Sequence, residues 1–304
     1  MTANQFSEQV QLLMEVLPHL TKHTRFALKG GTAINFFIRD LPRLSVDIDL
    51  AYLPVEDRET SLATIDSELA EIQVAVSKKV PGVSTETGML GRTNKRIRLH
   101  ARRDETLVKV EVNSVMRGSI HPPEQREASP GVQEQFGPTT AQTLGFDDLY
   151  GGKLCAALDR QHPRDLFDVD LLLRNEGISA RLKDTFLVYL LGHNRPIAEL
   201  LEPAHQPLEE AFFNDFVGMP NETVELARLY DTRDRVVKNI HASLTDADRK
   251  FLLSVKRGDP EWEAFRYPHA RDLPAIRWKI YNLEKMTKRK QAEAISKLET
   301  VLYR

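Results

Sequence analysis

Apolar positions along the chain change their period once. From Arg25 to about Met116, short runs of alternating apolar and polar residues are interleaved with runs of helical period, whereas from Phe146 onward nearly every segment is helical in period. A helix is predicted over Gln5 to Leu20, and the first region then predicts a short strand over Phe26 to Leu28, a helix over Thr32 to Ile38 and a strand over Ser45 to Tyr52. A long helix over Val55 to Val76 follows, then two antiparallel strands, Asn94 to Ala101 and Leu107 to Met116, with "RRDE" at their turn. Between the two textures lies "RGSIHPPEQREASPGVQEQFGPTTAQ", whose Pro, Gly and Ser content reads as a loop or domain junction. The pattern predicts an α+β chain: a small mixed sheet flanked by helices over residues 1–140, then a mainly helical domain over residues 141–304.

Side chains alternate on a strand, so Val46, Ile48 and Leu50 face one side and Ser45, Asp47 and Asp49 the other. Two carboxylates one pleat apart repel each other unless a cation lies between them, and a hard divalent cation with oxygen ligands fits that need. Just upstream, Gly30 and Gly31 let backbone N–H groups turn toward an anion where a helix starts. A phosphate cradle beside a metal-binding carboxylate pair points to a nucleoside triphosphate. A solvated Asp-x-Asp on an edge strand after an ordinary turn has the same pattern. Glu111, in "TLVKVEVNSVM", shares a face with Lys109 and Asn113 and offers a third carboxylate if its strand lies beside the first. Alternatively it pairs with an arginine of the neighbouring strand, where Arg96, Arg98 and Arg102 share its polar side.

In "FDDLYGGKLCAALDRQHPRDLFDVDLLL", Leu149, Lys153, Ala156 and Ala157 recur at helical spacing, and Pro163 opens a new helix carrying Asp165 and Asp168. A lysine beside a packed face and next to a carboxylate is held charged and oriented, which suits a triphosphate. An interhelix ion pair of Lys153 with Asp168 is the structural alternative. Cys155, the chain's one cysteine, excludes an internal disulfide and sits in an apolar helical pattern as a core residue.

Composition narrows the partners rather than the fold. At 304 residues two domains are expected, and 42 basic against 44 acidic residues exclude a global attraction to polyanions. Nucleic-acid binding therefore needs local patches. Six basic residues lie from Arg92 to Arg103, including Arg96 and Arg98, and a second cluster is Lys288, Arg289 and Lys290; both are also compatible with solvated faces. The longest apolar stretch, near Phe186 to Leu191, is too short to cross a bilayer, and the first ten residues lack a targeting pattern, so the protein is expected to be cytoplasmic.

Taken together, Gly30-Gly31-Thr32, "RLSVDIDL" with Arg43, Ser45, Asp47 and Asp49, the "KLCAAL" helix with Lys153, and "RDLFD" with Asp165 and Asp168 resemble the AbiEii/AbiGii nucleotidyltransferase toxins. These are akin to the MenT toxins within the DNA polymerase β-like superfamily. "LTDADRKFLLSVKRGDPEW" extends the resemblance toward the C-terminal end. The spacing from Thr32 to Asp47 is longer than is common in the superfamily, and threonine replaces the more usual serine.

The resemblance implies a polymerase β-like nucleotidyltransferase core and transfer of a nucleoside monophosphate from NTP to an acceptor, often the 3′ end of tRNA, which blocks translation. It implies Mg²⁺ or Mn²⁺ on Asp47 and Asp49, and NTP contacts from Gly30, Gly31, Thr32 and Ser45. Lys153 would neutralise the leaving pyrophosphate, with Asp168 positioning it or assisting the incoming hydroxyl. It further implies a cognate antitoxin, AbiEi-like or of kinase type, in a toxin–antitoxin or phage-defence system. A small-molecule acceptor, as in aminoglycoside adenylyltransferases, and a nucleotide-binding module without turnover are the alternatives.

Overall fold

A computed structural model describes residues 3–91 and 93–304. Seven strands form one mixed sheet: β1 (Phe26–Lys29), β2 (Asp47–Tyr52), β3 (Ser84–Met89), β4 (Arg96–Arg103), β5 (Thr106–Asn113), β6 (Glu124–Glu127) and β7 (Thr140–Thr143). Their order across the sheet is β3-β4-β5-β2-β1-β7-β6. β2 runs parallel to β5 and antiparallel to β1, and β1 is parallel to β7. The alternation that predicted β2, β4 and β5 is realised in their burial: Ile48, Leu50, Ile97, Leu99, Val108, Val110 and Val112 are core residues, while Asp47, Asp49 and Glu111 stay half-buried on the other face. The long helix Arg58–Lys79 buries Leu62, Ile65, Leu69, Ile72 and Val76 along one stripe. Asp57 caps its start by accepting from the Thr60 amide at 2.9 Å, and Lys78 and Lys79 sit favourably in its last turn.

Four strands differ from the sequence expectation. β3, "STETGM", carries almost no apolar signal because it is an edge strand with mostly wet side chains. The segment expected as a loop or junction holds β6, the helix Pro130–Phe136 and most of β7. Its Pro and Gly mark the ends of that helix instead: Pro130 opens it and Gly137, at φ +91°, closes it. β2 starts at Asp47 rather than Ser45, and the cluster expected from Arg92 onward begins on a residue outside those described.

Two compact units result: Met1–Leu149 with Phe213–Val224, and Tyr150–Phe212 with Glu225–Arg304. The first runs past residue 140 because β7 still belongs to the sheet and Asp148 accepts from the Ile120 and His121 amides at 2.9 and 2.8 Å. Its returning segment is held by Leu44 N–H to Met219 O at 2.9 Å and Asn221 N–H to Pro42 O at 3.0 Å.

The second unit is helical, organised around buried charges. Asp170, fully buried, receives Arg228 at 2.7 Å, Arg174 at 3.0 Å and Arg235 at 3.3 Å, tying helix Pro163–Asn175 to helix Leu226–Ser243. The late motif "LTDADRKFLLSVKRGDPEW" is a folding device: Thr245 and Asp248 form a reciprocal capping box, Gly258 ends the helix at φ +87°, and Asp248 takes the buried Lys183 ammonium at 2.5 Å. Trp262 packs edge-on against Phe251. Cys155 lies in the core, where burial pushes its thiol up and out of reactive range. Among the described residues no helix is long and apolar enough to cross a membrane.

Candidate active site

β1 delivers the chain into a glycine turn. Gly30 has φ +71°, and helix Gly30–Ala33 starts there, continuing as a π-helical turn over Ile34–Ile38. A Cβ on Gly30 would stand 2.7 Å from Asp49 Oδ2, so the turn and the second carboxylate touch. A Cβ on Gly31 would stand 2.7 Å from Arg43 Nη2 and 2.9 Å from Ser45 Oγ. Neither position has room for a side chain. The first-turn amides have no acceptor within the helix, and its dipole favours an anion there.

Thr32 and Ser45 face inward. The Thr32 hydroxyl lies 2.5 Å from the Asp47 carbonyl and 3.0 Å from Ser45 Oγ. Since a carbonyl only accepts, Thr32 spends its one proton on Asp47 O and receives Ser45's. Both residues are buried, so their hydroxyls lock the glycine turn to the start of β2, and what the turn presents outward is backbone.

Register sets the charges across the sheet. One row reads Lys29, Asp49, Glu111 and Arg98 on β1, β2, β5 and β4; the next reads Asp47, Lys109 and His100 on β2, β5 and β4. Glu111 therefore does lie beside Asp49, and it also pairs with the neighbouring arginine: Arg98 Nε reaches it at 2.8 Å and Lys109 Nζ at 2.9 Å. Burial alone would raise the Glu111 carboxyl, but these two cations outweigh it and hold the group below its ordinary value. Burial likewise works against the Lys109 ammonium, yet the Glu111 bond and the charges of Asp47, Glu111 and Asp49 leave it raised and charged. Among the described residues no three His, Cys, Asp or Glu side chains form a metal cage. The donor set is a carboxylate pair of hard oxygens, which fits Mg²⁺ or Mn²⁺ completing its shell with phosphates and water.

Lys153 lies on the part of helix Phe146–Arg160 that belongs to the second unit and faces helix Pro163–Asn175, where Nζ lies 2.8 Å from Asp165 and 2.9 Å from Asp168. All three side chains are at most 5% exposed, and Arg160 adds a second cation to Asp165 at 2.6 Å. Burial would raise the Asp165 carboxyl, but Lys153 and Arg160 hold it well below the usual carboxylate range. Two carboxylates fix the ammonium in position.

Residues 11–280 match the sequence profile of the family described as nucleotidyl transferase AbiEii toxin, type IV toxin–antitoxin system. The chain belongs to the AbiEii family. It is a nucleotidyltransferase toxin of a type IV toxin–antitoxin system, which implies a nucleotide substrate and a cognate antitoxin. Its architecture is similar to that of MenT4, a nucleotidyltransferase toxin from Mycobacterium tuberculosis H37Rv, with a TM-score of 0.61 at 15% identity, covering 96% of this chain and 93% of that one. No curated protein matches it significantly by sequence.

The candidate RNA contacts of this AbiEii toxin fall into two kinds. Arg96 and Arg98 are engaged by Asp66 at 3.0 Å and Glu111 at 2.8 Å, while Lys288, Arg289 and Lys290 are exposed at the start of helix Lys288–Leu302. Sequence reasoning put Lys109 on the polar face without giving it a part, and it quoted Arg43 only as a motif member. The structure gives both a place: Lys109 opposite Asp47, and the buried Arg43 guanidinium under Gly31, its Nη1 donating to Leu44 O at 2.8 Å. The signal for Lys109 was its alternation with Glu111; for Arg43 no periodicity existed to read.

Proposed function

We propose that this AbiEii toxin transfers a nucleoside monophosphate from an NTP to the 3′ end of a tRNA, in the cytoplasm, with Mg²⁺ or Mn²⁺ held by Asp47 and Asp49. The observation that carries the reading is the contact of the glycine turn with Asp49, which puts backbone donors for phosphate and carboxylates for metal within one side chain of each other. The cation, when bound, supplies charge neutralisation to the triphosphate. The first-turn amides after Gly30 orient the phosphates, and Arg43 and the Thr32–Ser45 pair keep that turn fixed against β2. The acceptor hydroxyl oxygen forms a bond to the α-phosphorus, the bond to pyrophosphate breaks, and the hydroxyl proton passes to solvent. Lys153, positioned by Asp165 and Asp168, is assigned the leaving pyrophosphate by the family resemblance; its support here is a fixed, charged, dry ammonium. The antitoxin is expected to be AbiEi-like or a kinase.

The test incubates purified protein with Mg²⁺, each labelled NTP in turn and total tRNA, beside Asp49→Ala. Label on tRNA that disappears in a folded Asp49→Ala variant is the expected result. Label on small molecules, or nucleotide retained without turnover, would replace the tRNA reading.

A further inference from the structure

Of the chain's two tryptophans, Trp262 lies in an aromatic core cluster, while Trp278 is 58% exposed. Trp278 does not stand alone. Helix Pro274–Glu284 turns Ala275, Ile276 and Leu283 inward and leaves Trp278 and Tyr281 outside, stacked with centroids 5.6 Å apart and planes at 27°. Lys285, next along the same face, lies 3.9 Å from the Tyr281 ring centre and donates to its hydroxyl. Residues 271–290 hold seven basic side chains against two acidic ones. Of the basic ones, Lys279 is turned inward onto the His193 and Arg195 carbonyls, while Arg271 and Arg289 pair with Glu263 at 3.2 Å and Glu293 at 3.6 Å. Asp272 is paired with Arg277 at 2.7 Å, and Lys285, Lys288, Arg289 and Lys290 are exposed.

We propose that this face binds single-stranded RNA, stacking an unpaired base on the Trp278–Tyr281 pair while Lys285 and the run Lys288 to Lys290 hold the flanking phosphates. Flat, exposed rings beside cations match the two features every unpaired nucleotide offers, a π-face and a phosphate. A polypeptide partner fits less well, because the apolar surface is two rings wide and bordered by charge. A duplex fits less well still, since its bases are already stacked on one another. The proposal rests on RNA being the acceptor, and it adds where an unpaired end is held.

The experiment measures binding of the full-length protein to an unstructured oligoribonucleotide about ten nucleotides long and to a blunt RNA duplex. Trp278→Ala and Tyr281→Ala should each weaken single-strand binding by about fivefold or more, with duplex affinity within about twofold and Trp278→Phe largely restoring the loss. Lys288→Ala should flatten the salt dependence by about 0.7 in slope, the share of one phosphate contact. Single-strand binding unchanged in both alanine variants overturns the proposal, as does an equal loss for duplex. So does a polypeptide antitoxin that needs the ring pair while RNA does not. Label transfer is followed alongside: transfer to RNA that ignores both rings sinks only the platform, whereas ring-dependent binding without any transfer sinks only the acceptor reading.

Discussion

Replacing Gly30 by alanine isolates the contact on which the nucleotidyltransferase reading turns. The backbone there has φ +71°, a left-handed conformation that costs a residue with a Cβ about 1–2 kcal/mol. The new methyl would also stand 2.7 Å from Asp49 Oδ2 and 3.3 Å from Asp49 Cβ, so the carboxylate must move, an overpacking cost of about 1–3 kcal/mol. The total, about 2–5 kcal/mol, lowers melting by about 5–15 °C for a unit of this size. Gly82→Ala is the control: its φ is also +71°, but its Cβ would meet nothing nearer than the flexible Arg103 side chain at 3.9 Å. It should show the backbone cost alone. Transfer of labelled nucleotide, assayed below both melting points, should fall by about a hundredfold or more in Gly30→Ala, the effect of misplacing a reacting group by about 1 Å, and stay near normal in Gly82→Ala. Equal activity in the two variants would refute the claim that the turn sets the position of Asp49.

Glu111→Gln should reduce transfer by about tenfold to a hundredfold, less than Asp49→Asn, because Arg98 and Lys109 already occupy its oxygens and it acts from outside the metal's own ligands; a loss as deep as that of Asp49→Asn would make it a third ligand. Asp165 predicts an acid limit to stability. Its folded-state pKa lies below the unfolded value of about 3.9, so its contribution is complete above that pH and drains away as pH falls through and below it. The stability gap between wild type and Asp165→Asn in urea melts should be constant from about pH 7 to 5 and narrow below about pH 4; a gap unchanged at about pH 3 would contradict the assignment.

How much of this was legible depended on whether a residue's role was local. Asp47 and Asp49 were readable because alternation on a strand fixes faces, and Gly30 because two glycines before a helical run require an unusual backbone. That Glu111 lies beside Asp49 follows from the parallel pairing of β2 with β5, a long-range choice that periodicity permits without selecting. Edge strands β3 and β6 were invisible for a different reason: with little to bury, they carry no apolar signature. Thr32 shows the limit at a single residue. A hydroxyl after a glycine pair reads as a phosphate ligand, and only the buried bond to the Asp47 carbonyl reveals that it holds the turn together.

The segment Phe213–Val224 belongs to the sheet-bearing unit although it is separated from the rest by sixty-odd residues of helical unit, as its bonds to Pro42 and Leu44 require. During synthesis, then, the loop before β2 still lacks these bonds when the last strand of the sheet has been made. The clamp comes only with residues 213–224, after the first stretch of the helical unit, Tyr150–Phe212, has been made. A fragment ending after Leu149 would lack the clamp on the loop that carries Arg43 and Ser45. The glycine turn and β2 are thereby left without that clamp until about three-quarters of the chain exists, so the loop that backs the candidate site is completed by a segment made long after the site's own carboxylates.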